Sequence, residues 1–373
     1  MGVAGTPGDG PAVPIVDVGP LVDGRAGNGG DGGDDRAASA AGLAIDAACR
    51  DVGFFSIVGH GVDPALLQRL DRHAREFFAL PEAEKAQVAM PRAGAAWRGW
   101  FPLGGELTSG APDLKEGVYF GAELPADDPR VAAGTPLHGP NLFPGRPAAL
   151  RDDVLAYMGE MARVGQAVLS GMGLALGIGR RWFVEHLTGD PTLLFRIFRY
   201  PPTPRDQGSG WGVGEHTDYG LLTVLAQDDQ GGLQVKAPTG WVDVPPRPGS
   251  LVCNIGDMLE RLTGGRYRST PHRVRNVSGA ERLSFPFFLD PSRDAVVERL
   301  PIVGRPDDDG AAERWDRASV HGFTGTYGDY LLAKVAKVFP HLAAGATARD
   351  PGAPGGQGQR RSAAGAPGPT TTR

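Results

Sequence analysis

A histidine and an aspartate stand two residues apart in GEHTDYG, as His216 and Asp218. In a strand or at its edge a period of two turns both side chains to one face, so an imidazole and a carboxylate converge. His272 in STPHRV, at the head of another strand-like run, can supply a second imidazole. Two histidines and one carboxylate occupy one face of an octahedron and leave three positions for substrate and dioxygen, the arrangement of non-haem Fe(II) oxygenases. The His-x-Asp pattern also arises by chance, because most histidines are satisfied core or surface residues.

Arg282 and Ser284 supply context. They share one face of the apolar run RLSFPFFL by the same two-residue step. An arginine on a buried face requires an anion, and its planar fork pairs bidentately with a carboxylate. Two sources of that carboxylate stay open: a ligand, or an Asp or Glu of the protein. Other polar residues read as structural. Asn254 and Asp257 in NIGDM cap turns at a strand end, and His60 in VGHGV is a scaffold histidine. Cys253 belongs to the core, since nothing spaces it against a base. Trp97, Trp100 and Phe101 are candidates for a pocket mouth or for packing.

The elements that must position these residues follow from periodicity. Runs of period two fill the segment from Leu193 to Leu289: LLFRIFRY, LLTVLAQ, LQVKA, WVDV, SLVCNI, HRVRNV and RLSFPFFL, separated by turn residues. They predict a sandwich or barrel, with the double-sheet jelly roll as one candidate. VPIVDV and FFSIVGHGV add strand-like runs upstream. Helical spacing covers Ala37 to Val52, with Leu43, Ile45 and Ala48 among its apolar positions. A second helix starts at Asp63 as N-cap and Pro64, repeats through Leu67, Leu70, His73 and Phe77, and stops at Pro81. Leu150 to Leu176 carries Val154, Tyr157, Met158, Met161, Val164, Val168 and Met172 on one stripe, and Thr326 to Val338 closes the body.

Composition excludes several classes. Lys plus Arg number 38 against 43 Asp plus Glu, a net charge of -5 and a pI near 5.9, the wrong sign for holding nucleic acid by its phosphates. No apolar stretch is long enough to cross a bilayer and no leader stands at the start, so a cytoplasmic protein without a membrane partner is expected. Cys49 and Cys253 form no CxxC pattern. Arginine far outweighs lysine, which occurs only at positions 85, 115, 236, 334 and 337, a bias associated with GC-rich bacterial genomes. Low-complexity sequence is confined to residues 23–36 and 343–373, which lack apolar anchors and are expected to be disordered.

GEHTDYGLLTVLAQDDQGGLQV, WVDVPPRPGSLVCNIGDMLERLTGGRYRSTPHRV and RLSFPFFLDP together resemble the 2-oxoglutarate and Fe(II)-dependent oxygenases of the isopenicillin N synthase-like family. The likeness continues in VPIVDV, GFFSIVGHGV, RGWFPLGGE, DLKEG and FRYPP, from Val13 to Pro340. It implies a mainly β fold with flanking helices, a distorted double-stranded β-helix or jelly roll. It also implies iron on His216, Asp218 and His272, and the far carboxylate of 2-oxoglutarate on Arg282, Ser284 and Tyr200. Several members carry Asn two residues before that tyrosine, whereas this chain has Phe198, one polar group fewer beside the co-substrate.

The same resemblance divides the chain into an N-terminal helical and β region over 13–190 with its insert at 23–36, a jelly-roll core over 191–300, a helical closure over 301–342 and a tail over 343–373. The implied activity is a dioxygenase that uses Fe(II), 2-oxoglutarate and O2 to oxidise a C–H bond of a small molecule by hydroxylation, desaturation or cyclisation. Bacterial secondary metabolism, such as antibiotic biosynthesis, is the implied setting, and a monomer is compatible with the sequence. Two rivals remain. One is an oxidase that needs no 2-oxoglutarate, like the founder of the family, whose Arg and Ser hold the substrate's own carboxylate. The other is a non-catalytic metal- or metabolite-binding protein.

Overall fold

Alternation of apolar and polar residues builds most of the molecule, and a computed structural model describes it over residues 13–23, 32–108, 111–202, 210–302, 319 and 322–338. The strands are β1 (Ile15–Asp17), β2 (Phe54–Val58), β3 (Gly99–Phe101), β4 (Glu116–Gly121), β5 (Pro191–Tyr200), β6 (Val213–His216), β7 (Leu222–Gln227), β8 (Leu233–Ala237), β9 (Gly240–Asp243), β10 (Leu251–Ile255), β11 (His272–Val274) and β12 (Arg282–Ser292). They form a major sheet in the order β1-β2-β10-β7-β12-β5-β4-β3 and a minor sheet in the order β6-β11-β8-β9. A cavity lined from both sheets lies between them, the jelly-roll arrangement expected.

The helices are α1 (Gly19–Asp23), α2 (Gly32–Asp51), α3 (Pro64–Phe78), α4 (Glu82–Lys85), α5 (Pro129–Ala132), α6 (Leu150–Ala175), α7 (Trp182–His186), α8 (Asp257–Leu262) and α9 (Tyr327–Val338). The stripe from Val154 to Met172 is buried throughout, and α6 packs on β7 and β12 while α2 and α3 pack on α6. The side of the major sheet away from the cavity is thereby dry. Asp63 caps α3 by accepting from the Ala65 amide at 2.9 Å, worth about 1 kcal/mol. None of the described helices is long and apolar enough to cross a membrane.

The structure corrects several expectations. Helix α2 begins at Gly32, inside the segment expected to be disordered, and Asp35 puts a carboxylate in the first turn, where the helix dipole favours it. Residues 24–31 and the tail 343–373 lie outside the described residues. Leu43 is 60% exposed whereas Ile45 and Ala48 are buried, because Leu43 stands two residues from Ile45 and so projects from another face. On α3 the buried stripe runs through Leu66, Leu70, Ala74 and Phe77, leaving Leu67 and His73 only partly covered. Strands β3 and β4 escaped the periodicity reading: GWF is too short to show a period, and EGVYFG is buried on both faces. Both join the same sheet as β5, so strands from either side of residue 190 share one layer.

Candidate functional site

The antiparallel ladder between β6 and β11 places His216 directly opposite His272, with ring centroids 4.2 Å apart. Asp218 lies just past the end of β6, in the turn that leads to β7. Ligand atoms of the three residues all fall within 4.8 Å of one another. The Asp218 Oδ1 atom is 3.8 Å from His272 Nε2 and 4.0 Å from His216 Nε2. The other carboxylate oxygen, Oδ2, accepts from Thr223 Oγ1 at 2.5 Å and from Asn254 Nδ2 at 2.7 Å. Each imidazole turns Nδ1 to a main-chain carbonyl, His216 to Gly214 at 2.8 Å and His272 to Thr270 at 3.3 Å. Those carbonyls accept from Nδ1–H, which leaves both Nε2 lone pairs directed at the cluster.

Electrostatics favour the same protonation state. Burial, and then the neighbouring His272, push His216 down to about 3, so it stays a neutral ligand at ordinary pH. Burial alone raises Asp218, but the two imidazoles and the Thr223 and Asn254 hydrogen bonds outweigh it and lower the carboxyl below its ordinary value. An anionic oxygen and two neutral nitrogens on a rigid frame suit a divalent cation of borderline hardness.

Across the cavity, β12 turns Arg282, Ser284, Pro286, Phe288 and Asp290 inward, one every second residue. Arg282 is fully buried and stands opposite Tyr200 in the β5–β12 ladder, with its guanidinium 4.7 Å from the Tyr200 ring. Its Nε donates to the Gly231 carbonyl at 2.5 Å and Nη2 reaches Gln227 Oε1 at 3.5 Å. Its Nη1 is buried without a hydrogen-bond partner. None of the ion pairs among the described residues involves Arg282, so the internal salt bridge left open by the sequence is not formed there. A buried guanidinium with a spare donor fits an incoming carboxylate. Ser284 and Tyr200 are buried beside it and line the same cavity, as does Phe198.

Seven other residues are corrected or clarified. Asn254 was read as a turn cap, yet its amide holds Asp218, because β10 pairs with β7 and brings Asn254 level with Thr223. Trp97, Trp100 and Phe101 are buried in packing away from the cavity, and Trp100 Nε1 donates to Glu116 Oε2 at 2.9 Å. His60 is a scaffold residue: its Nδ1 accepts from the Val62 amide and its Nε2 meets the Gly249 carbonyl. Asp257 and Cys253 are structural too, the first accepting from Ser269 Oγ at 2.9 Å, the second a buried free thiol pushed up by burial.

Sequence reasoning missed Arg196, Glu106, Lys115 and Asp290, all of which line the cavity. Arg196 had a usable signal, since it precedes Phe198 and Tyr200 by steps of two on β5. Glu106 and Lys115 come from irregular chain before β4, where no periodicity marks them; their one signal was membership of the family-like runs RGWFPLGGE and DLKEG. Asp290 accepts from the Leu221 amide at 3.0 Å and from the Tyr327 hydroxyl at 2.6 Å, which ties β12 to the turn after Asp218. A side chain at Gly220 would place Cβ 1.5 Å from Asp290 Oδ1, so only glycine fits that turn.

Comparison with known proteins gives two matches along the chain. Residues 13–146 match the N-terminal region of the non-haem dioxygenases in morphine synthesis, and residues 191–291 match the 2OG-Fe(II) oxygenase superfamily. A Dictyostelium discoideum protein named as an iron/ascorbate oxidoreductase is 45% identical over 323 residues, 80% of this chain and 88% of that protein. A homoarginine-6-hydroxylase of Arabidopsis thaliana is 37% identical over 298 residues, covering 78% and 87%. A crystal structure of a 2OG-Fe(II) oxygenase family protein from Caulobacter crescentus superposes with a TM-score of 0.69 at 29% identity, over 87% of this chain and 99% of that one.

Proposed function

The chain belongs to the 2OG-Fe(II) oxygenase superfamily, and from that premise we propose that His216, Asp218 and His272 hold Fe(II) while Arg282, Ser284 and Tyr200 hold the far carboxylate of 2-oxoglutarate. It is a non-haem Fe(II)- and 2-oxoglutarate-dependent oxidoreductase that also consumes O2. With these groups bound, the iron supplies an oxidation that turns 2-oxoglutarate into succinate and carbon dioxide and oxidises a substrate C–H bond.

The protein's part is positional. Asn254 and Thr223 fix one oxygen of Asp218 and so aim the other at the imidazoles. Gly214 and Thr270 carbonyls fix the histidine tautomers. Arg282 would anchor the co-substrate from the opposite sheet, in the same cavity as the ligand cluster. Leu194, Phe198, Leu225 and Phe288 give the cavity dry walls that exclude competing water.

The observation that carries this reading is the orphaned Nη1 of Arg282 in the same cavity as the three ligands. An oxidase that needs no 2-oxoglutarate would leave that reading without its succinate. Titration of 2-oxoglutarate into anaerobic Fe(II)-loaded protein, followed by the visible charge-transfer band, should show saturable binding, and oxygen admission should release succinate. Oxygen consumption without succinate would give the site to the oxidase reading. The substrate we propose is a small amino-acid-like or secondary metabolite, supported by a cavity that carries two guanidinium groups among apolar walls and by the homoarginine-hydroxylating relative. The bacterial setting rests on composition, and the reading of a cytoplasmic protein rests on the absence of an apolar span.

A further inference from the structure

Along β5 the cavity-facing residues are Leu194, Arg196, Phe198 and Tyr200. Tyr200 stands opposite Arg282, so Arg196 lies roughly 13 Å further along the strand, at about 3.3 Å per residue. The β4 residue opposite Arg196 is Tyr119, whose ring is 4.3 Å from the guanidinium carbon, and Phe288 of β12 lies 4.8 Å from it. Because β5 runs between β4 and β12, the two rings approach the guanidinium from either neighbouring strand.

The nearest counter-charge is Glu106, 3.8 Å from Arg196 Nη1 and beyond hydrogen-bond reach. Glu106 is already engaged by Lys115 at 2.8 Å and by the Tyr119 hydroxyl. Lys115 in turn is neutralised by Glu106 and by Asp113 at 2.5 Å. Arg196 Nε is buried and has no hydrogen-bond partner. Among the described arginines with such a nitrogen, which are Arg98, Arg196, Arg266 and Arg282, only Arg196 and Arg282 line the cavity.

We infer that Arg196 binds a carboxylate of the primary substrate, which makes that substrate a small carboxylic acid. This rests on the oxygenase reading, since Arg282 is there committed to the co-substrate. A planar fork matches a planar, singly charged acceptor. A doubly charged phosphate would call for a second cation, and the charge of Lys115 is already matched by Glu106 and Asp113.

The test uses full-length protein loaded anaerobically with Fe(II) and saturating 2-oxoglutarate, so that the Arg282 end is occupied. The probes are the protein amino acids and simple aliphatic and aromatic carboxylic acids, each paired with its primary amide, and binding is read by calorimetry. Acids should bind, and their amides should bind roughly ten- to hundredfold more weakly, the range set by losing a charged hydrogen bond. Arg196→Met should bring the acids down to the level of the amides while 2-oxoglutarate still saturates the band. Equal binding of acids and amides by wild type, or no binding of any acid, would overturn the inference, and neither outcome depends on how a variant folds. Failure of wild type to bind 2-oxoglutarate sinks both readings; normal 2-oxoglutarate binding with indifference between acid and amide sinks this one alone.

Discussion

At the His216, Asp218 and His272 end of the cavity, the polar atoms that do not face the cluster are taken up by the protein: Gly214 and Thr270 hold the two Nδ1 atoms, and Thr223 and Asn254 hold Asp218 Oδ2. On the paired strands β12 and β5, Nη1 of Arg282 and Nε of Arg196 are buried without partners, at two separate points of the cavity wall. The cluster offers lone pairs and the two guanidinium groups offer protons. The difference teaches that the first is preorganised for a cation, whereas the second are completed by acceptors that ligands bring. A buried donor left unmade costs about 1–3 kcal/mol, so each guanidinium holds a standing incentive to bind.

The comparison breaks first at the lone-pair end. Asp218→Ala removes the only anion of the cluster, so Fe(II) uptake should fall from one per chain to background and activity with it, while circular dichroism stays native. Metal analysis that still finds iron would remove Asp218 from the ligand set. Next comes the donor end. Arg282→Met should weaken 2-oxoglutarate binding by about 3 kcal/mol or more, since the incoming carboxylate would lie buried and unpaired, and Arg282→Lys should lose less. Neither should change Fe(II) binding, and parallel losses of both would show that the two ends are not separable.

A smaller effect tests the support behind the ligands. Asn254→Ala leaves Asp218 Oδ2 with Thr223 alone and should lower Fe(II) affinity roughly ten- to hundredfold, read by competition with a chelator. The smallest effect concerns pH. Burial raises Asp290 to about 7, so the folded state takes up a proton that the unfolded chain, titrating near 4, has already lost. Its contribution to stability is present at low pH and is lost as pH rises toward 7. Asp290→Asn removes that loss, so the melting temperature of the variant minus that of wild type, both metal-free, should climb between pH 4 and 7. A flat difference would mean that Asp290 ionises normally.

Legibility in the sequence followed the reach of periodicity. Strands β5 and β7 to β12 were visible as short runs between turn residues, and His216, Asp218, Arg282 and Ser284 were visible because each pair is two residues apart. Asn254 was misread because its partner Asp218 is 36 residues away, and only the β7–β10 ladder brings them together. Glu106, Lys115 and Asp113 form a buried charge cluster that no local pattern announces. Arg196 was legible but was passed over, its two-step relation to Tyr200 being hidden within an apolar run. Leu43 shows the converse error, an apolar residue credited to a core it does not face.

Strand β12 works as a gauge. Arg282 opens its inward row and Asp290 closes it, about 26 Å apart at roughly 3.3 Å per residue, and Asp290 fastens the turn that follows Asp218. The positions of the Arg282 guanidinium and of the carboxylate that fastens the turn after Asp218 are therefore written in the length of one extended segment, held on both edges by β5 and β7. Inserting or deleting a single residue between these two positions would send one of them through the sheet to the side packed against α6. Substitutions can tune the cavity wall between its ends, but the count of residues separating those ends cannot drift by one.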